Sequence, residues 1–271
     1  MPELPEVETT CRGIAPHITG QPVTRVIVRN RDLRWPVTPK LEQAITGQVI
    51  RSVTRRAKYL LLGTDTGTII LHLGMSGSLR VVNAVLPAEK HDHVDLVFRH
   101  FKALRFTDPR RFGSLHWTTR DPLKHRLLRE LGVEPLGDEL SGAYLYQHSR
   151  GRKTAVKHFI MDSHIVVGIG NIYASEALFL AGINPKRAAG RIGLEKYRLL
   201  TEVIREVLTD SITAGGTTLR DFVNGDGKPG YFKQQLHVYD KSGEPCISCQ
   251  VPIRVIRQGQ RSTFYCPKCQ K

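Results

Sequence analysis

No apolar run in this 271-residue chain is long enough to span a bilayer, and the opening Met1-Pro2-Glu3 is acidic where a secretory signal would be basic. A cytoplasmic or nucleoid-associated location with no membrane partner is therefore expected. The chain also lacks a long basic amphipathic helix, the device that lies on an anionic membrane face. Internal repeats and low-complexity tracts are absent, which excludes solenoid architectures. Acidic residues are scarce: 25 Asp and Glu face 40 Lys and Arg, a net charge of +15. An excess of that size points to a polyanionic partner, with nucleic acid the leading candidate. The alternative is a solvated basic surface without a fixed partner.

A disulfide framework is missing too. Four of the five cysteines fall at the end of the chain as Cys246-x-x-Cys249 and Cys266-x-x-Cys269, separated by residues 250–265. Paired Cys-x-x-Cys knuckles at this spacing are a zinc pattern, so one structural Zn2+ held by four thiolates is expected. A redox role does not suit two matched pairs. Cys11 is left over and reads as an ordinary buried or half-buried thiol.

With 40% hydrophobic residues the chain can build true cores, and its length fits two modules with a small appendage. A helix is expected from Pro5 to Ala15. Short β-rich runs follow at 23–28, 49–62, 68–73, 78–82, 93–98, 103–107 and 114–117, separated by polar or Gly/Pro breaks, as in an antiparallel sandwich or barrel. Past Asp121 the pattern turns helical, with expected helices at 123–131, at 172–181 capped by Asn171, and at 194–214. The stretch 215–231 reads as a mobile loop. A β module at 1–120, a helical module at 135–225 and a zinc tail after 235 result, and a duplex could lie between the two basic modules.

Pro2 carries the other chemical signal. With Met1 removed it presents a secondary amine, which can attack an electrophilic carbon and form an iminium ion without a separate protonation step. With Met1 attached the nitrogen is an amide and is not nucleophilic. The plainer reading of Pro2-Glu3-Leu4-Pro5-Glu6 is a helix start, with acids at its positive end.

Taken together, an N-terminal proline beside acids, a basic β module, a helical module and a zinc hairpin resemble the formamidopyrimidine-DNA glycosylase family of base-excision repair enzymes. The resemblance spans essentially the whole chain. Its segments are residues 1–8, Arg55-Arg56-Ala57-Lys58-Tyr59, His72-Leu73-Gly74-Met75-Ser76-Gly77, Lys90-His91-Asp92-His93, Asp108-Pro109-Arg110-Arg111-Phe112-Gly113, residues 168–176 and the zinc tail with Gln260-Arg261. It implies an α+β multidomain chain: an antiparallel β-sandwich with an N-terminal helix at 1–120, a connecting helix or linker at 121–134, a helix-two-turn-helix domain at 135–231 and a β-hairpin zinc finger at 235–271. The loop at 215–231 would close over an everted base.

The resemblance also implies roles. Pro2 attacks C1′ of the damaged nucleotide and Glu3 protonates the sugar ring oxygen, kept protonated by burial or by acidic neighbours. Glu6 either orients the terminus or serves only the helix start. Lys58, placed in a β run with Arg56, Leu60 and Leu62 on one face, contacts the phosphate near the lesion and assists elimination. His72 and His91 contact DNA, whereas the bare pattern His91-x-His93 would also allow a metal; His93 reads as structural. Met75, Arg111 and Phe112 fill the space left by the flipped base, whose extrusion costs a few kcal/mol. Asn171 and Arg261 grip backbone beside it, Arg261 also serves δ-elimination, and Arg110 and Arg152 are further phosphate contacts.

The implied activity is that of a bifunctional glycosylase and AP lyase on oxidised purines in damaged double-stranded DNA, acting as a monomer. The related endonuclease VIII branch, which prefers oxidised pyrimidines, is the nearest alternative; Leu4 and Arg110-Arg111-Phe112 lean towards the purine branch. A non-catalytic zinc-bearing DNA binder and a proline tautomerase are the others.

Overall fold

A computed structural model describes residues 2–216 and 235–271; Met1 and most of the expected base-covering loop, 217–231, lie outside the described residues. The chain divides into two compact units, Met1–Arg129 with Ile212–Lys233, and Glu130–Ser211 with Gln234–Lys271. None of the described helices is long and apolar enough to cross a membrane.

The first unit is a β-sandwich led by a helix. Helix α1 (Leu4–Ile18) is followed by β1 (Arg25–Val28), α2 (Leu41–Ile45), β2 (Ser52–Arg56), β3 (Tyr59–Gly63), β4 (Thr68–His72), β5 (Ser78–Asn83), β6 (Asp92–Val97), β7 (Lys102–Thr107) and β8 (Ser114–Thr118). Two four-stranded antiparallel sheets form, in the orders β1-β6-β7-β5 and β2-β3-β4-β8. Alternate residues of each face inward, so Val26, Leu79, Leu96, Leu104 and Phe106 of one sheet share a core with Leu60, Leu62, Ile69, Leu71 and Leu115 of the other. Helix α1 adds Val7, Cys11, Ile14 and Ile18 to that core.

Two expectations fail within the sandwich and its leading helix. The run 49–62 is a hairpin rather than one strand: Arg56 pairs with Tyr59, so Ala57-Lys58 is its two-residue turn and Lys58 is not on a strand face with Arg56, Leu60 and Leu62. Helix α1 outlasts Ala15 and takes Pro16 into its last turn, because Ile14 and Ile18 are both fully buried and hold that turn on the core.

The second unit is helical, with a metal-type hairpin. It contains α3 (Gly142–Ser149), α4 (Val156–Ile160), α5 (Asn171–Leu180), most of α6 (Leu194–Thr213) and the hairpin of β9 (Arg254–Gln258) and β10 (Arg261–Tyr265). Helix α6 buries Tyr197, Thr201, Ile204 and Leu208 along one stripe, as its spacing predicts. The expected helix at 123–131, most of which lies in the first unit, does not form. Only a 3-10 turn, Pro122–Lys124, is regular there, and the segment continues through local turns that bury Leu128 and leave Leu123 in solvent. Asn171 is the first residue of α5, and Gly170 occupies the cap position.

Candidate active site and nucleic-acid interface

The start of α1 is buried, although it is the chain's acidic end. Pro2 is buried, Glu3 is 3% exposed and Glu6 is 2% exposed. Glu6 Oε2 accepts the Glu3 N–H at 2.8 Å, one arm of a capping box. Glu6 thus organises the backbone on which Pro2 and Glu3 sit, and its side chain lies 3.5 Å from the Cβ position of Gly216.

In the same unit, the Ala57-Lys58 turn stands beside the end of β4. His72 pairs with Tyr59 across the sheet, their rings 4.8 Å apart. Burial, then the nearby cations Lys58 and Arg34, depress the His72 pKa to about 4. Its Nδ1 accepts the Gly74 N–H at 2.9 Å, so at neutral pH the ring is uncharged and carries its proton on Nε2. A neutral donor beside a lysine suits a phosphate or sugar oxygen better than a metal.

The loops at 74–77 and 109–113 are clamped together by Asp108, which is fully buried. Its carboxylate accepts from Ser76 Oγ (2.9 Å), Gly113 N (2.7 Å) and, at 3.3 Å, Arg110 N. The loops approach so closely that a Cβ on Gly74 would meet the Gly113 nitrogen at 2.4 Å. Met75 and Phe112 remain 38% and 41% exposed, unusual for large apolar side chains on such rigid loops. The Arg110 guanidinium lies over the Phe112 ring, and Arg111 is exposed with a left-handed backbone, φ 57°. His91 is half-buried just before β6. A β-bulge at His93 breaks the His-x-His alternation, and the His93 Nε2 is bonded to the Asp108 carbonyl at 2.7 Å, a structural role.

In the second unit, Asn171 meets the zinc-type hairpin. Its Nδ2 donates to the Ser262 carbonyl at 2.9 Å, and its Oδ1 accepts from Lys157 Nζ at 2.7 Å. Lys157, 1% exposed, also reaches Thr263 Oγ1 at 2.8 Å. Arg261, exposed at the start of β10, is the residue next to this junction. Arg152 is exposed and donates Nε to the His148 carbonyl at 2.8 Å. Buried Glu176 accepts the backbone N–H groups of His237, Val238 and Tyr239, fixing the segment that leads into the cysteines.

The sulfurs of Cys246, Cys249, Cys266 and Cys269 lie within 4.8 Å of one another. A zinc ion about 2.3 Å from each of four sulfurs requires them about 3.8 Å apart, and the pairs at 3.9 and 3.4 Å bracket that value. The Cys269 N–H points at Cys266 Sγ at 3.4 Å, as knuckle amides do toward thiolates. Without a cation, the hydrogen bond with Cys249 first, then burial, push the Cys269 thiol up to about 12. The donor set fits one Zn2+, held by Cys246, Cys249, Cys266 and Cys269, and leaves no open position for chemistry. Cys11 stays apart, buried and pushed up to about 11, chiefly by burial.

Family models match the chain in three successive pieces: the formamidopyrimidine-DNA glycosylase N-terminal domain at residues 1–115, the corresponding H2TH domain at 131–223, and the zinc finger found in FPG and IleRS at 243–271. A formamidopyrimidine-DNA glycosylase of Marinobacter nauticus is 60% identical over the full length of both chains. The chain belongs to the formamidopyrimidine-DNA glycosylase family. Solved family members agree. A Lactococcus lactis FPG mutant complexed with Fapy-dG DNA aligns over 100% of both chains with a TM-score of 0.93 at 32% identity, and the MutM (FPG) protein of Thermus thermophilus aligns over 99% of this chain and 98% of its own with a TM-score of 0.89 at 35% identity.

Sequence reasoning assigned no role to Asp108, Lys157 and Glu176, although Asp108 and Glu176 lie inside segments that carry the resemblance. Each is a buried charge that fixes a loop or hairpin. For Asp108 and Glu176 the linear signal was an acid inside a glycine-bounded or largely apolar run; Lys157 sits in a basic stretch and gave none.

Proposed function

We propose that this chain removes oxidised purines, 8-oxoguanine and formamidopyrimidines, from damaged duplex DNA and then cuts the strand as an AP lyase. The observation that carries this reading is the buried Pro2-Glu3 start of α1, set in the same unit as two rigid loops that expose Met75 and Phe112. In this reading Met1 has been removed; the Pro2 nitrogen bonds to C1′ as the C1′–N bond of the damaged base breaks, and the proton that the amine gives up leaves with the base. Glu3 gives its proton to the ring oxygen as the sugar opens, leaving a C1′ iminium. Loss of a C2′ proton then expels the 3′ phosphate by β-elimination, and δ-elimination expels the 5′ phosphate.

Lys58 and the neutral His72 donate to the phosphate and sugar oxygens near the lesion, with His91, Arg110 and Arg152 on neighbouring phosphates. Met75, Arg111 and Phe112 occupy the gap in the duplex. Asn171, through the amides of its helix start, and Arg261 grip the backbone; Arg261 also serves δ-elimination. When bound, zinc supplies rigidity to the hairpin and no reaction chemistry. The boundaries 1–120, 121–134, 135–231 and 235–271 describe the functional parts, and a monomer in the cytoplasm, at the nucleoid, suffices.

The test is borohydride trapping with an 8-oxoguanine duplex, followed by mass spectrometry of the chain. An adduct on Pro2 is expected. An adduct on an internal lysine, or none, overturns the mechanism. One relative, the Lactococcus lactis Fpg, has been crystallised with DNA containing an oxidised pyrimidine, so the assay should include such a duplex. Faster excision of the pyrimidine would favour the endonuclease VIII-like reading.

A further inference from the structure

Arg55 has no role in the reaction described above, yet it is nearly buried, with 10% of its side chain exposed. It stands on β2 two residues before Ala57, and its guanidinium reaches both α1 and the hairpin turn. Nε donates to Glu8 Oε2 at 2.8 Å, and Nη1 donates to the Ala57 carbonyl at 2.8 Å. Glu8 belongs to α1, the helix that Pro2 and Glu3 open. Its second oxygen takes Arg12 Nε at 2.8 Å. Burial would raise the Glu8 carboxyl, but the bonds from Arg55 and Arg12 outweigh it and hold it below its usual range, so the pair stays charged at neutral pH. Ala57 has φ 54°, a left-handed conformation that residues with a side chain rarely adopt, and its carbonyl is the group that Arg55 holds.

We propose that Arg55 is a positioning residue: it ties the nucleophile-bearing helix to the turn that presents Lys58, and so sets where the Lys58 ammonium stands relative to the Pro2 amine. The claim deepens the mechanism above and rests on it. A planar guanidinium with donors in a fixed fork suits such a strut, because it fixes two acceptors at a set distance and angle. A lysine supplies the charge without the second, directed bond. Misplacing a reacting group by about 1 Å can cost about a hundredfold in rate, so the strut should govern chemistry more than binding.

The experiment uses the full-length, zinc-loaded protein with the variants Arg55→Lys and Arg55→Ala, and with Arg12→Ala as control, since Arg12 contacts Glu8 but not the hairpin. Four quantities are read: nicking of an abasic-site duplex in single turnover, affinity for a tetrahydrofuran-containing duplex, melting temperature, and the His72 titration by NMR. Both Arg55 variants should slow nicking by about tenfold to a hundredfold with duplex affinity little changed; Arg55→Lys should keep the melting temperature, whereas Arg55→Ala should lower it because Glu8 loses its largely buried partner. His72 should titrate above about 4 in both, because Lys58, one of the cations that depress it, has moved away. Arg12→Ala should match the wild type. If Arg55→Ala does not fold, Arg55→Lys carries the test alone. Wild-type nicking rates in the Arg55 variants overturn the proposal. So does a loss of rate that tracks equal losses of affinity and melting temperature while His72 is unmoved. Absence of a Pro2 adduct in the wild type would instead sink the mechanism beneath it.

Discussion

Two hairpin turns of this protein share one backbone device and differ in what supports it. Ala57-Lys58 joins β2 to β3, and Gly259-Gln260 joins β9 to β10; each turn has two residues and a left-handed first position, φ 54° and 58°. Each sets a basic residue at or beside the turn, Lys58 in one case and Arg261 in the other. The first turn rests on a large sandwich core and is pinned by Glu8 and Arg55. The second rests on a small cluster of Phe179, Val238, Cys246, Ile253, Phe264 and Cys266. A core of that size cannot hold a hairpin rigid unaided, and the four thiolates with their metal make up the difference. Carbon packing thus orders one cation, and coordination chemistry orders the other.

The largest effect should come from removing the metal. Chelation, or Cys249→Ser, withdraws about 10 kcal/mol or more of folding free energy from the zinc hairpin. Hydrogen exchange should show β9 and β10 losing protection while β2–β4 keep theirs, and affinity for a tetrahydrofuran duplex should fall at least about a hundredfold. Simultaneous loss of protection in both units would erase the contrast.

Next in size is a split between the two cations. Lys58→Ala should slow nicking at an abasic site by about a hundredfold and leave duplex affinity nearly intact. Arg261→Ala should weaken duplex binding and lower the slope of log affinity against log salt by about one. Identical profiles would mean that the two turns do the same job.

Acid should separate the units by a different route. Burial is the first cause holding both His72 and His116 down to about 4. A depressed histidine adds stability above its unfolded value of about 6.5, and that contribution is lost as the pH falls from there through the folded value, about 1–3 kcal/mol for each group. His116 Nε2 is buried without a hydrogen-bond partner among the described residues. His116→Leu should therefore flatten the loss of sandwich stability between about pH 6.5 and 4, measured by denaturant unfolding. Added zinc should not change that window, whereas it should oppose acid loss of the hairpin. The smallest effects concern the turns themselves. Ala57→Gly should stabilise the protein by up to about 1 kcal/mol and Gly259→Ala should cost about the same, both read as shifts in melting temperature.

Much of the layout was legible in linear form. Strands at 68–73, 78–82, 103–107 and 114–117 emerged within a residue or so of their final bounds, because alternating burial on two packed sheets leaves a period of two in the sequence. The split of 49–62 was missed because Arg55-Arg56-Ala57-Lys58 carries no glycine, asparagine or proline; the turn is held by Arg55 from outside its own residues. At 123–131 the leucines mimic a helical stripe, but only Leu128 finds a core, and without burial a short helix has nothing to offset its nucleation cost. Asn171 looked like a cap by residue type, yet its side chain turns toward Ser262, far along the chain.

Residue chemistry by itself determined the parts of this protein that need no partner: a proline at position 2 whose nitrogen is a secondary amine only if Met1 is removed, four thiols at zinc spacing, and a positive charge suited to phosphate. Tertiary structure alone decided which buried charges act as fasteners, with Asp108 clamping two loops, Lys157 joining Asn171 to the metal hairpin, and Arg55 bracing the Lys58 turn. The reason is physical. A donor or nucleophile keeps its reactivity wherever the chain goes, whereas a strut exists only when folding brings its acceptors to hydrogen-bond distance and excludes the water that would otherwise replace them.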